Sequence, residues 1–149
     1  MLAWIGTAGE LEAWASRRDF PLRREVLAEW HRDPEVHPYL LVADERLCGY
    51  GEVWEDREED EAELARIVVA PSERGRGLGR ALARLLVGEA AAMGFRDVWV
   101  RVVPWNAPAL ACYEGAGFVR TTAEEEERFN RGQPYEYVWL RKARQSPAT

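Results

Sequence analysis

The sequence predicts an α/β fold: a mixed, mostly antiparallel sheet, flanked by helices, with one pair of parallel strands at its centre. A β-branched apolar run at residues 67–69 leads through a glycine-rich turn into residues 78–93, which have helical apolar periodicity. An alternating apolar run at residues 98–103 follows that segment. A helix that joins two neighbouring strands requires them to run parallel, and such crossovers are right-handed.

The N-terminal part of the chain predicts two helices. Thr7 and Glu10 form a capping box in front of apolar residues at helical spacing, which marks the start of the first helix. Residues 23–31 repeat that spacing and predict a second helix, which stops near Pro34.

A hairpin and the central strand are predicted next. Residues 39–43 and 47–54 predict two strands joined by a turn at residues 44–45. The acidic stretch 55–61 is too highly charged to pack, so it predicts the following turn. Residues 62–69 then predict the long central strand that enters the glycine-rich turn.

The C-terminal part predicts one long helix and a last hairpin. The expected buried stripe of the helix is Leu78, Leu82, Leu85, Leu86 and Met93. Residues 118–123 and 135–140 predict an antiparallel hairpin around residues 131–132, with the carboxylates at 124–127 inside it. A solvated charged turn and a surface that attracts a cationic amine are the two interpretations of these carboxylates.

Composition limits the class of protein. The 149 residues predict one domain, 1–149, with a net charge of −6 and a pI near 5.1, which disfavours nucleic acid as the main partner. Cys48 and Cys112 lack metal-ligand spacing and predict core thiols in a reducing, cytoplasmic compartment. We recognise no signal peptide and no apolar run of membrane-spanning length, so no membrane partner is expected.

The glycine-rich turn predicts an anion site. Glycines bring backbone N–H groups close to a ligand, and the N-terminus of the following helix adds unpaired donors and partial positive charge. A Walker loop is excluded because no Gly-Lys-Ser/Thr follows, and the Rossmann spacing fails because its third glycine is missing. Phosphate is the expected anion, and the residues of this turn are Arg74, Gly75, Arg76, Gly77, Leu78, Gly79 and Arg80.

Two motifs in the right order carry a family resemblance. The Arg-x-x-Gly-x-Gly that begins at Arg74 resembles the pyrophosphate-binding segment of the GNAT family, the acetyl-CoA-dependent N-acetyltransferases. That family also has an asparagine after the second parallel strand, a short helix that carries a tyrosine seven residues later, and a Gly-Phe that enters the next strand. Asn106, Tyr113 and Phe118 match this pattern. The resemblance covers roughly residues 38–140 and implies a sheet whose central parallel strands splay apart.

The resemblance implies acetyl-CoA as the co-substrate, with no metal. The backbone of Ile67, Val68 and Val69 would pair with the pantetheine arm as an added strand does, and Asn106 would lie beside that arm. Residues 75–80 would take the pyrophosphate. The structural alternative for residues 67–69 is an ordinary core strand, and for the glycine-rich turn it is a plain connection between a strand and a helix.

Two further residues match catalytic positions of the family. Glu63 stands where the histone-modifying members carry a general base, and Tyr113 matches the general acid that protonates the departing thiolate. The structural alternative for Glu63 is a charged residue at the end of a hairpin, and for Tyr113 it is a tyrosine that packs in the core. His31 and His37 are each isolated near a proline, which favours surface or capping roles over base catalysis.

One departure concerns the acceptor. The ribosomal-protein alanine acetyltransferases, the nearest members in motif, carry a glutamate five residues before the asparagine, and here that residue is Arg101. The expected function is direct acetyl transfer to a primary amine on a small molecule or peptide, in a ternary complex. A non-catalytic acyl-CoA binder and a nucleic-acid contact through Arg-Gly-Arg-Gly are the alternatives, and a homodimer is left open.

Overall fold

The computed structural model describes residues 1–143 and contains one six-stranded sheet with helices on both faces. The strands are β1 (Val36–Ala43), β2 (Arg46–Asp56), β3 (Glu61–Val69), β4 (Asp97–Val102), β5 (Phe118–Arg120) and β6 (Val138–Lys142). The α-helices are α1 (Ala8–Ala15), α2 (Arg24–Arg32), α3 (Leu78–Ala92), α4 (Ala107–Gly115) and α5 (Ala123–Asn130). Short 3-10 turns cover Leu2–Trp4 and Pro71–Glu73.

The sheet has the order β1-β2-β3-β4-β6-β5, and only β3 and β4 pair in parallel. Their pairing extends from Glu61–Asp97 to Leu64–Val100 and ends there, although β3 continues for five more residues. The predicted fold class is therefore confirmed. The two central strands also separate towards their C-terminal ends.

Helix α3 begins at the predicted residue and packs on β2 and β3. Leu82 and Leu86 lie against Gly49 and Gly51 of β2, whose missing side chains let the helix approach the sheet closely. The prediction for Leu85 was wrong, because this side chain is 57% exposed. The buried stripe is completed instead by two small residues, Ala83 and Ala90, so it is narrower than the leucine pattern indicated.

The first two helices follow the prediction closely. Thr7 accepts a hydrogen bond from the Glu10 amide at 3.1 Å, and the Glu10 carboxylate accepts one from the Gly6 amide. The prediction that residues 55–61 form a turn was partly wrong. Glu55 and Asp56 end β2 and Glu61 begins β3, because cross-strand hydrogen bonding continues to these positions and leaves only residues 57–60 in the turn.

The last hairpin contains a helix that was not predicted. Strands β5 and β6 pair antiparallel, but β6 begins at Val138, later than expected, and α5 occupies the connection. Thr122 caps α5 by accepting from the Glu125 amide at 3.2 Å. Carboxylates in a first helical turn interact favourably with the helix dipole. The run 124–127 is therefore helical, and the prediction of a solvated turn was wrong.

The two faces of the sheet have separate apolar cores. Helices α3 and α4 cover the larger core, which includes Leu64, Val100 and Leu140, while the N-terminal segment covers a smaller one around Leu11 and Tyr50. Cys48 is buried and Cys112 is half-buried, and both are unbridged thiols. No helix within residues 1–143 is long and apolar enough to cross a membrane.

Candidate active site

A cleft of about 710 Å³ lies where β3 and β4 separate. It combines the edge of β3, the start of α3, the end of β4 and helix α4, so the two sequence motifs meet in one space. The cleft is lined by these residues of the predicted site: Glu63, Ile67, Val68, Val69, Arg74, Gly79, Asn106 and Tyr113.

The edge of β3 presents main chain to this cleft. Beyond Leu64 the strand pairs with no other strand on the β4 side within residues 1–143, so the backbone groups of residues 67–69 on that side face the cleft. The Arg74 guanidinium donates a hydrogen bond to the Val69 carbonyl at 3.2 Å, which joins the glycine-rich turn to the end of the strand. An unpaired strand edge is the backbone surface on which an extended ligand can be added.

The glycine-rich turn has the backbone that the motif predicts. Gly75 and Gly77 have φ angles of +79° and +77°, a conformation that side chains disfavour, and space is open around both. Gly77 is the N-cap of α3 and has no side chain to cap the helix, so the first amides remain available to an anion. Residues 75–77 of the turn are exposed, and Arg74 and Gly79 of the same turn line the cleft.

The arginines of the turn already have partners. Arg76 forms a 2.6 Å ion pair with Glu73, a buried carboxylate that also pairs with Arg46 at 3.1 Å. The guanidinium of Arg80 lies against Gly115 of α4, at a position where a Cβ atom on that glycine would collide with it. Arg76, Leu78 and Arg80, like Gly75 and Gly77, do not line the cleft itself.

Asn106 and Tyr113 are placed by one helix. The Asn106 side chain caps α4 by accepting from the Ala109 amide at 3.3 Å, and Pro108 occupies the first turn, where no amide hydrogen is needed. Two turns later, Tyr113 packs edge-on against Phe118 with ring centroids 5.8 Å apart. Both residues line the cleft, so the cap fixes the position of the tyrosine relative to β3.

The Tyr113 phenol is a neutral group at physiological pH. Burial raises its pKa above the ordinary value of 10.0, and the nearby Cys112 and Glu63 raise it further. Tyr113 lines the cleft, so its hydroxyl proton can be donated to a group bound there. Tyr113 can therefore donate a hydrogen bond or a proton to an anion that develops there.

Glu63 forms a bidentate ion pair with Arg101 across the parallel strands. The Arg101 Nε and Nη2 atoms lie 2.6 and 2.7 Å from the two carboxylate oxygens of Glu63. Arg101 also donates to Gln133 at 3.1 Å, and its guanidinium stacks over Trp139 with 4.6 Å to the ring centroid. The ion pair occupies one lone pair on each Glu63 oxygen and leaves the other acceptor sites of the carboxylate unoccupied by Arg101.

A second cleft, of about 640 Å³, meets the first at the Glu63–Arg101 pair. Trp54 also lines both clefts. Carboxylates predominate in its lining, with aromatic rings from Trp99, Phe129 and Trp139 behind them. The acidic residues besides Glu63 are Asp33, Glu35, Glu55, Asp56, Glu58 and Glu61.

The sequence reasoning missed the partner of Glu63 and this acidic cleft. Trp99 and Arg101 alternate with buried valines on β4, which indicates a second functional face, but nothing local shows what they contact.

The two histidines line neither cleft. The Nε2 atom of His31 lies 2.9 Å from the Tyr50 hydroxyl, and the Nε2 atom of His37 lies 3.3 Å from a Glu55 carboxylate oxygen. Within residues 1–143 no three metal-ligating side chains come together.

Comparison with protein families identifies the fold. The model of the acetyltransferase (GNAT) family matches residues 7–118, which includes both motifs and the two N-terminal helices. The chain belongs to the GNAT family. The resemblance stated from the two motifs is thereby confirmed, and it extends further towards the N-terminus than residue 38.

Curated relatives include the [ribosomal protein bS18]-alanine N-acetyltransferase of Escherichia coli K12, which is 43% identical over 63 residues. That stretch covers 42% of this chain and 43% of the relative, so the chain matches less than half of the relative's length. The mycothiol acetyltransferase of Corynebacterium glutamicum is 34% identical over 116 residues, which is 77% of this chain and 37% of that protein.

Solved structures agree with the fold. Aminoglycoside acetyltransferase AAC(6')-Ib, in complex with coenzyme A and kanamycin, has a TM-score of 0.62 at 23% identity over 93% of this chain and 85% of that one. Spermidine N-acetyltransferase SpeG from Vibrio cholerae has a TM-score of 0.62 at 22% identity over 79% of this chain and 71% of the other.

Proposed function

We propose that this protein is an N-acetyltransferase that moves the acetyl group of acetyl-CoA to a primary amine by direct attack in a ternary complex. The observation that carries this proposal is the cleft between β3 and β4, into which an unpaired strand edge, an uncapped helix N-terminus, Asn106 and Tyr113 all converge. The family membership supports the same chemistry.

The cofactor would lie along one wall of the cleft. The backbone of Ile67, Val68 and Val69 would pair with the pantetheine arm, and Asn106 would lie on its other side. The pyrophosphate would bind the amides of residues 75–80, where the positive φ angles of Gly75 and Gly77 and the α3 N-terminus favour an anion. This arrangement directs the thioester towards Tyr113 and Glu63.

The acceptor amine must lose a proton before or during attack. At pH 7 an amine with a pKa of about 10.4 is neutral in only about one molecule in 2,500. Glu63 faces the cleft and is the proposed acceptor of that proton, directly or through water. Tyr113 is proposed to hydrogen-bond the departing sulfur and supply its proton, for which its neutral state is suited.

The second cleft supports a cationic acceptor. An amine that approaches the thioester opposite the cofactor would pass the Glu63–Arg101 pair, and the carboxylates lining that route attract positive charge. Aromatic rings beside them provide cation–π contacts. AAC(6')-Ib in complex with kanamycin and spermidine N-acetyltransferase are structural neighbours named for acceptors of this kind. Arg101, in place of a glutamate, argues against a protein N-terminal alanine as the acceptor.

A panel of amines, monitored by release of the free CoA thiol, tests the function. The panel holds polyamines, aminoglycosides, amino acids and N-terminal peptides, each with acetyl-CoA. We expect turnover with at least one di- or polycationic amine and none with an alanine-terminated peptide. Binding of acetyl-CoA without turnover across the panel would favour the alternative of a non-catalytic acyl-CoA binder, which the occupied Glu63 carboxylate makes a real alternative.

Glu63→Gln should depress the rate most near neutral pH. Almost all of the amine is protonated there, and the defect should shrink as the pH approaches the amine pKa, because solvent then supplies the neutral amine. The pH–rate profiles of the wild type and the variant on one good substrate measure this.

Arg101→Gln is the matched control for that experiment. It breaks the same ion pair but leaves the carboxylate in place. If Glu63 collects the proton, the control should keep the wild-type shape of the profile. Identical profiles for the two variants would mean that the ion pair matters only for structure, and would remove Glu63 from the mechanism.

Glu61→Gln should raise the KM for a polyamine by about threefold, because one partly exposed carboxylate changes the affinity for a cation by little more than that factor. Burial raises the pKa of Glu61, and the neighbouring carboxylates of Asp56, Glu59 and Asp97 raise it further. A cation bound beside Glu61 would therefore relieve the repulsion among these carboxylates. The kcat should stay unchanged. Glu25→Gln, the same charge change outside both clefts, is the control, and an equal KM for both variants would contradict a cationic acceptor in the second cleft.

A further inference from the structure

Glu52 is a fully buried carboxylate on β2 that the reaction as proposed does not use. It accepts a hydrogen bond from the Tyr50 hydroxyl, one from Trp54 Nε1 at 2.8 Å, and one from the guanidinium of Arg66 on β3 at 2.8 Å. That guanidinium also lies over the rings of Trp30 and Trp54, with 3.4 and 4.7 Å to the centroids. The Arg66 side chain is therefore held by an ion pair and two aromatic rings.

The backbone of Arg66 has an unusual conformation. Its φ is +50°, in the left-handed region that non-glycine residues disfavour. Arg66 lies inside a strand, whereas the other non-glycine residues of positive φ in the described part of the chain lie in turns or at a helix end; they are Ser16, Asp44, Glu45 and Asp60. The sequence offers no glycine at this position, so side-chain contacts must compensate for the strain.

The strained residue forms a β-bulge. Tyr50 pairs with Val68 and Glu52 pairs with Ala65, so β3 contains one more residue than β2 between these two pairs. The ion pair between Glu52 and Arg66 joins the two strands across that extra residue.

The bulge lies at the point where the two parallel strands separate. Leu64, the last residue of β3 that pairs with β4, comes just before it, and residues 67–69, the proposed cofactor edge, come just after it. The bulge also changes which face each side chain takes. Leu64 and Ile67, three residues apart, both pack on the α3 side, while Val68 packs on the opposite side.

We propose that the Glu52–Arg66 ion pair is a positioning device for the cofactor: it holds the bulge that turns the edge of β3 away from β4 and towards the pantetheine arm. Glu52 does not line the cleft, whereas its partners Arg66 and Trp54 do, so Glu52 acts on the cofactor indirectly, and the strained backbone is reached through Arg66. The inference rests on the proposed binding of acetyl-CoA along residues 67–69. If the inference is correct, a residue at position 66 that adopts positive φ without strain should make the ion pair unnecessary for cofactor binding.

Two substitutions of Arg66 separate the backbone from the side chain. Both Arg66→Ala and Arg66→Gly remove the ion pair and the ring contacts, but only glycine adopts positive φ without strain. We expect the dissociation constant for CoA, measured by calorimetry, to rise about tenfold in the alanine variant and to stay within about threefold of the wild type in the glycine variant. Equal dissociation constants in the two variants would overturn the proposal, since the side chain would then act only on stability or directly on the cofactor.

A second pair of variants serves if Arg66→Ala does not fold. Glu52→Gln should weaken CoA binding while keeping the shape of the side chain, and Glu52→Gln with Arg66→Gly should restore it. Failure of the glycine to restore binding would also overturn the proposal. A wild-type protein that does not bind CoA would remove the proposed function together with this inference, whereas CoA binding with equal Arg66 variants removes the inference alone.

Discussion

Replacing Gly77 with aspartate is expected to abolish the stabilisation that CoA gives to the folded protein. At a hundredfold excess over the dissociation constant, a ligand that binds only the native state raises the free energy of unfolding by about 2.7 kcal/mol. Gly77 is the N-cap of α3, with its φ at +77° and open space where a Cβ would stand. A carboxylate there would fill the proposed pyrophosphate site with negative charge and cap the free amides itself.

Gly77→Asn is the matched control for this effect. Asparagine has the same shape, also caps helices and adopts the left-handed conformation about as well, but carries no charge. Melting curves of the wild type and both variants, with and without CoA, should show a retained though smaller shift for asparagine and none for aspartate. A full shift in the aspartate variant would remove the turn from the cofactor site.

Tyr113→Phe should lower kcat by about a hundredfold or more, which is the typical contribution of general acid catalysis, with CoA affinity nearly unchanged. The substitution deletes only the hydroxyl, and the ring contact with Phe118 remains. Since burial raises the pKa of Tyr113, the neutral phenol persists to higher pH than in a free tyrosine. The wild-type rate should therefore show no loss from ionisation of Tyr113 up to about pH 10.

Tyr39→Phe is the control for Tyr113→Phe. It removes a hydroxyl of the same kind from β1, outside both clefts, and should leave kcat and the dissociation constant for CoA unchanged. Both variants need steady-state kinetics at pH values where chemistry limits the rate, together with CoA titrations. Full activity in Tyr113→Phe under those conditions would mean that the thiolate leaves without this proton.

The helices and the glycine-rich turn could be predicted because their signals are local. Gly75 and Gly77 have the positive φ angles that the motif requires, and Asn106 caps the helix that carries Tyr113. The miss at α5 was avoidable, because Thr122 and Glu125 form the same capping-box pattern that identified α1. Leu85 was misassigned because the width of a buried stripe depends on the surface that the helix packs against.

The sequence by itself determined the family and, within residues 1–143, the six strands and four of the five α-helices, because short segments encode turns, caps and strand periodicity. Only the tertiary structure decided how the charged residues pair. Glu63 and Arg101 are 38 residues apart, and Glu52 and Arg66 are 14 apart on strands whose register depends on a bulge. A charge pair across strands depends on register and strand separation, which are set by the packing of the whole sheet and not by the residues near either partner.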